Sequence, residues 1–188
     1  MSGKRWLIWR RLRRLYAGFR HPDTPWWAKG LVILTGCLGG LVPQTLLQQS
    51  PDEARKLLGT LKELADPGGL FVELQDHGLV EQKVLNGILS AAAADMGLPV
   101  VASNDAHFGG REDGEGHLYL SCIAGNRSYA DALAAHHGSF EMFLKSPDEM
   151  DQLFRDHPGA MKNTLAIAER CSGLKLKLGK PMLPTFQV

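Results

Sequence analysis

No stretch of this 188-residue sequence approaches the ~18 consecutive apolar residues of a membrane-spanning helix, so none is expected. Cysteine is scarce. Cys37, Cys122 and Cys171 are odd in number and far apart, which excludes a disulfide framework and points to a reducing compartment. Charge of one sign does not dominate: a net of +1 excludes a generally basic nucleic-acid binder. That balance hides an asymmetry. Residues 1–20 hold seven basic residues and no acidic one, while the remaining 168 hold 14 basic and 20 acidic, a net of −6. Apolar residues at 44% and charged residues at 22% suit a packed core and argue against wholesale disorder. At ~150 residues per domain the length fits one domain, or one and part of a second.

In the basic segment, Trp6, Leu7, Ile8, Trp9, Leu12, Leu15 and Tyr16 alternate with arginines. The pattern predicts a helix with an apolar and a cationic face. A membrane-surface or targeting helix, a nucleic-acid contact, and an ordinary domain helix all fit it. A signal peptide does not, because arginines interrupt every apolar stretch. Pro22, Pro25 and Gly30 then break the pattern.

Three short apolar runs follow: 31–35, 71–75 and 99–103. Each is closed by polar or glycine residues: Gly36-Cys37-Leu38-Gly39-Gly40, Asp76-His77-Gly78, and Asn104-Asp105-Ala106-His107. Such runs read as buried strands. Helical patterns separate them. Ser50-Pro51-Asp52-Glu53 carries a cap, a first-position proline and a capping-box glutamate. Residues 80–96 form the second helix, with Val84, Leu85, Ile88 and Leu89 as its expected buried stripe, ended by Gly97. The order β-α-β-α-β implies an α/β fold with parallel strands.

In such folds functional residues lie beyond the carboxyl ends of strands. All three runs here end in groups able to bind a metal or move a proton: Cys37, Asp76 with His77, and Asp105 with His107. In an extended chain, Asp105 and His107 would point to one side and reach one cation. Imidazole and carboxylate suit Zn²⁺, Mn²⁺ or Fe²⁺, and a thiolate favours the softer ions. Each residue also has a plain structural reading. Cys37 serves as a small apolar residue, His77 as a turn residue, and Asp76 as a cap for the next helix.

Beyond Phe108 the patterns are helical. A helix is expected over 113–122, with Leu118, Leu120 and Ile123 on its apolar side. Loop and short helix follow to Ser139, including His136 and His137. Ser146-Pro147-Asp148-Glu149 repeats the capping signal, with Met150, Leu153 and Phe154 as its stripe. The last helix covers 159–171, with Met161, Leu165, Ile167 and Ala168 inward.

The stretches 30–40, 72–78 and 97–107 together resemble the PHP (polymerase and histidinol phosphatase) domain, in the version of bacterial DNA polymerase III alpha subunits. The resemblance continues in 143–150, 163–171 and 178–186, and covers about residues 10–188. It implies an α/β fold: the C-terminal part of a distorted PHP-type (β/α) barrel, followed by a small helical region. The implied layout is a basic helix and linker over 1–29, the barrel part over 30–125, the helical region over 126–173, and over 174–188 an extended connection toward the palm. Residue by residue, it puts Cys37, His77, Asp105 and His107 at or beside a divalent metal (Zn, Mn or Mg). His117 matches a family histidine with no ligand role.

The family's early H-x-H motifs and the acidic palm residues have no counterpart here. The resemblance therefore implies an internal fragment, inactive by itself, of a replicative DNA-directed DNA polymerase. It carries part of a metal-dependent phosphoesterase or 3′→5′ exonuclease-like site. The implied partners are DNA and replisome subunits, namely a proofreading subunit and the sliding clamp, in the cytoplasm and without membrane. A non-catalytic PHP scaffold that binds replisome subunits is the alternative, and a free-standing PHP-type phosphatase is another.

Overall fold

The computed structural model describes residues 32–135 and 139–173. The expected basic helix over 1–29, the extended connection over 174–188, and His136 and His137 lie outside the described residues. The elements run β1 (Ile33–Leu34), α1 (Leu41–Gln48), α2 (Pro51–Leu64), β2 (Leu70–Leu74), α3 (Val80–Asp95), β3 (Val100–Ala102), a 3-10 turn (Arg111–Asp113), α4 (Gly114–Gly125), α5 (Tyr129–Ala135), α6 (Pro147–Leu153) and α7 (Pro158–Cys171). The strands pair in parallel in the order β1-β2-β3. The expected α/β alternation is therefore present, as a small three-stranded sheet with helices.

The strands are shorter than the apolar runs. At the end of β1, Thr35 replaces a ladder bond with its side chain: its hydroxyl accepts from the Glu73 amide at 2.8 Å. Helix α1 has no sequence signal because Pro43 interrupts its pattern. Proline is tolerated there because first-turn N–H groups lack intrahelical partners in any helix. The two proline-started helices begin as their caps dictate. Ser50 accepts from the Glu53 amide at 3.2 Å. Ser146 and Glu149 close a reciprocal capping box. Gly97, at φ +60°, ends α3, and the Leu98 amide donates back to Ala93 O at 2.8 Å.

The core gathers Val42, Leu58 and Leu61 from α1 and α2, Leu70, Val72 and Leu74 from β2, Leu89 from α3, and Phe154 and Ala160 from the helical region. The helical region thus shares one core with the sheet. β2 is buried along its whole length. Because strand side chains alternate, Phe71 and Glu73 occupy the face opposite Val72 and Leu74.

Four helix faces differ from expectation; in the α6 segment Phe154 is buried but Leu153 is exposed. In α3 the buried residues are Gln82, Leu85, Leu89, Ala92 and Ala93, while Val84 and Ile88 are exposed in line with Val80. The small alanines and a hydrogen-bonded Gln82 rotate the buried stripe away from Val84. In α4 Leu118 is buried, but Leu120 and Ile123 are exposed. In α7 Ala160 is buried, but Leu165 and Ala168 are exposed.

Helix α7 instead turns polar side chains to the sheet. Asn163 Nδ2 donates to Val100 O at 2.7 Å, and Thr164 Oγ1 donates to Ala102 O at 2.8 Å. The Val72 amide takes Pro99 O. Strand alternation therefore aims the Val100 and Ala102 carbonyls at the outer edge of β3, where these two side chains satisfy them.

Candidate functional site

A parallel sheet sends its strand ends to one edge. β1 and β3 flank β2, so the Cys37 turn and the Asp105–His107 loop leave that edge on either side of Glu73 and Gln75. The Cys37 turn is tight. Gly36 has φ +84°, and the Gly40 amide donates to Cys37 O at 2.7 Å. A Cβ at Gly40 would come within 2.6 Å of Thr35 O and 2.8 Å of Cys37 O, so only glycine fits. Cys37 itself is exposed, with a free thiol.

Asp105 and His107 come together, but not by extension. Asp105 has φ +51°, in the left-handed region, and its Oδ1 lies 3.6 Å from His107 Nε2. A turn, rather than strand alternation, makes the pair. The loop is anchored on its far side: the His107 amide donates to Met142 O at 2.7 Å, Asn104 Nδ2 donates to Phe143 O at 2.9 Å, and the Lys145 amide donates to Asn104 Oδ1 at 2.7 Å. Lys145 and Arg111 both stand over the Phe143 ring, at 4.3 and 4.7 Å from its centroid. Partial burial holds the Lys145 ammonium below the ordinary lysine range. The Arg111 guanidinium pairs with both oxygens of Glu141.

His77 is 2% exposed, and both ring nitrogens are engaged. Gln82 Nε2 lies 2.9 Å from Nδ1, and Asn104 O lies 2.8 Å from Nε2. Gln82 is oriented by its Oε1, which accepts from the His77 amide at 2.7 Å. Its Nε2 must therefore donate to Nδ1, which places the imidazole proton on Nε2, donated to Asn104 O. His77 thus braces the residue before Asp105. Asp76 closes its own turn, accepting from the Gly78 amide at 2.8 Å; the cap position of α3 is Leu79. The His117 ring lies beside His107 and Phe108, 5.7 and 5.5 Å away between centroids.

Glu73 escapes a reading based on strand ends. It is 9% exposed within β2. Its carboxylate accepts from the Gly36 amide at 2.9 Å, from Gln75 Nε2 at 3.1 Å and from the Ser103 hydroxyl. A charged residue inside an otherwise apolar strand is the sequence signal that marks it.

Asp105 and His107 are donors of the right kind for a divalent ion, but among the described residues no group of three His, Cys, Asp or Glu side chains converges on one point. A resident zinc site takes three or four protein ligands, so these residues by themselves do not complete one. An open cleft of about 730 Å³ lies beside His77, Arg111 and Glu141. A cavity of about 20 Å³, room for one water, borders Cys37, Glu73 and Gln75. No described helix is long and apolar enough to cross a membrane.

No family model matches the chain. Among curated proteins it is similar to DNA polymerase III subunit alpha of Borreliella burgdorferi, 31% identical over 166 residues that make up 88% of this chain and 14% of that protein. The Treponema pallidum subunit alpha is 35% identical over 161 residues, again 14% of its length. That of Deinococcus radiodurans is 36% identical over 167 residues, 12% of its length. The chain therefore spans about one seventh of the length of the relatives it matches, and over its matched residues it is similar to a part of bacterial DNA polymerase III alpha subunits.

Proposed function

We propose that this chain is a segment of a replicative DNA polymerase whose strand-end loops supply part of a PHP-type, metal-dependent phosphoesterase site. The observation that carries the reading is the Asp105–His107 pair, 3.6 Å apart at the end of β3. On this reading Asp105 and His107 contribute two donors to a Zn²⁺, Mn²⁺ or Mg²⁺ site, and Cys37 approaches from the β1 side. A divalent ion so held would polarise a phosphoryl oxygen and acidify a bound water. His77 orients the Asp105 loop from behind. DNA and replisome subunits, including a proofreading subunit and the sliding clamp, are the partners of the whole polymerase on this reading.

The test is a zinc titration of the chain by calorimetry, alone and with Asp105→Asn and His107→Gln. The reading expects one binding event, weakened by each substitution. Wild-type and variant curves that coincide would remove the metal reading. A second reading, a PHP scaffold that binds other replisome subunits without chemistry, is favoured by the absence of a third converging donor among the described residues. It expects no zinc-dependent effect of either substitution.

A further inference from the structure

The buried carboxylate of Glu73 has no task in the proposed chemistry, yet it touches both loops that do. Its Oε2 takes the amide of Gly36, the residue before Cys37, at 2.9 Å. Its Oε1 takes the Ser103 hydroxyl, two residues before Asp105. Gln75 Nε2 bridges the same two groups, 3.1 Å from Glu73 Oε1 and 3.0 Å from Ser103 Oγ. The Glu73 amide is tied to Thr35 Oγ1 at 2.8 Å, again on the β1 side. One residue of the central strand therefore fastens the ends of both outer strands.

A carboxylate suits this position because every neighbour is a donor. Each oxygen accepts, and an ionised acid accepts at both. A glutamine of the same size offers one acceptor oxygen where the carboxylate offers two, so the Gly36 amide and the Ser103–Gln75 pair can no longer both be met by oxygen. Ordinary core stability does not require a charge here: Leu70, Val72 and Leu74 pack the other face without one. Burying a carboxyl group is costly unless its oxygens are hydrogen-bonded, and these two are met by three donors.

We propose that Glu73 is a positioning residue, which couples the Cys37 turn to the Asp105–His107 loop and sets the distance between them. Its value to a metal site rests on the reading above; the coupling of the two loops does not.

Amide hydrogen exchange on the full chain tests the coupling. Glu73→Gln is compared with wild type and with Leu58→Ala, a core truncation away from the network. In Glu73→Gln the amides of Gly36, Gly40, Ser103 and His107 are expected to exchange at least about 10-fold faster, while those of α2 and α4 keep their wild-type rates. The reaction of the Cys37 thiol, followed by peptide mapping against Cys171, should change as well. Leu58→Ala should instead accelerate all regions together. Unchanged exchange at Ser103 and His107 in Glu73→Gln overturns the proposal. So does a uniform acceleration like that of Leu58→Ala. Zinc affinity is read in parallel. If wild type binds zinc, Glu73→Gln is expected to lose about 10–100-fold, as substitutions behind metal ligands do. If wild type binds none, the metal reading fails, and the coupling still stands or falls on the exchange data.

Discussion

Oδ1 of Asp105 lies 3.6 Å from Nε2 of His107, and the two meet because Asp105 turns the chain at φ +51°. Asparagine and aspartate visit this left-handed region more readily than other non-glycine residues. The residue is thus selected by its backbone as well as by its carboxylate. Asp105→Asn should keep the fold, whereas Asp105→Ala should cost about 1 kcal/mol more, from left-handed strain. Urea denaturation of the two variants decides it, and equal midpoints would mean that the turn is not strained.

His77 and Gln82 form a closed pair inside the protein. Gln82→Leu leaves a buried amide and a ring nitrogen of His77 without partners. Such groups cost about 1–3 kcal/mol each when stranded. The denaturation midpoint at neutral pH should drop accordingly; a change under about 0.5 kcal/mol, ordinary for a surface site, would show that the clamp is not closed in solution.

The buried face of α3 can be checked by two neighbours. Leu85 is 3% exposed and Val84 is 59% exposed. Leu85→Ala should cost about 2–5 kcal/mol, and Val84→Ala should stay within about 0.5 kcal/mol. Comparable losses from both would return the helix to the orientation that its sequence pattern suggests.

Helix α7 guards the outer edge of β3 with hydrogen bonds rather than with apolar packing alone. Thr164→Val keeps the shape and removes the donor to Ala102 O. A loss of about 1–2 kcal/mol is expected. If the variant is as stable as wild type, water must replace the hydroxyl at that edge.

Acid should weaken the cap of α6. Hydrogen bonds from the Ser146 amide and then from its hydroxyl hold the Glu149 carboxyl below the ordinary glutamate range. A carboxylate whose folded value is depressed stabilises the fold above its unfolded value, about 4.3. That contribution fades as pH falls through the unfolded value and is lost below the folded one. Stability of Glu149→Gln should therefore be less sensitive to pH in this window than that of wild type. Parallel pH profiles would remove Glu149 as a source of acid sensitivity.

Several features were legible because their causes are local. A serine before Pro51 or Pro147 starts a helix within one turn, Gly97 ends one, and apolar runs bounded by glycine make strands. The parallel arrangement followed from the spacing alone, since a crossover helix separates consecutive strands. Helix α1 was hidden, because proline in a first turn and proline in a loop look alike from the sequence.

At the site, the identity of the Asp105–His107 pair could be read, but its geometry could not. Alternation predicted an extended pair, and the structure makes a turn. His77 shows the same division: its type suggested a ligand, yet Gln82 and Asn104 O take both its nitrogens.

Residue types and their short-range order thus determined by themselves where the capped helices begin, which runs become strands and which groups lie at the strand ends. Only tertiary structure decided which side of α3 is buried, which polar residues of α7 meet the β3 edge, and that Glu73 joins two loops more than 30 residues apart in sequence. The reason is range. Caps, glycine turns and periodicity act over three to five residues, whereas a buried hydrogen-bond network exists only after separate segments have been packed together and water has been excluded from between them.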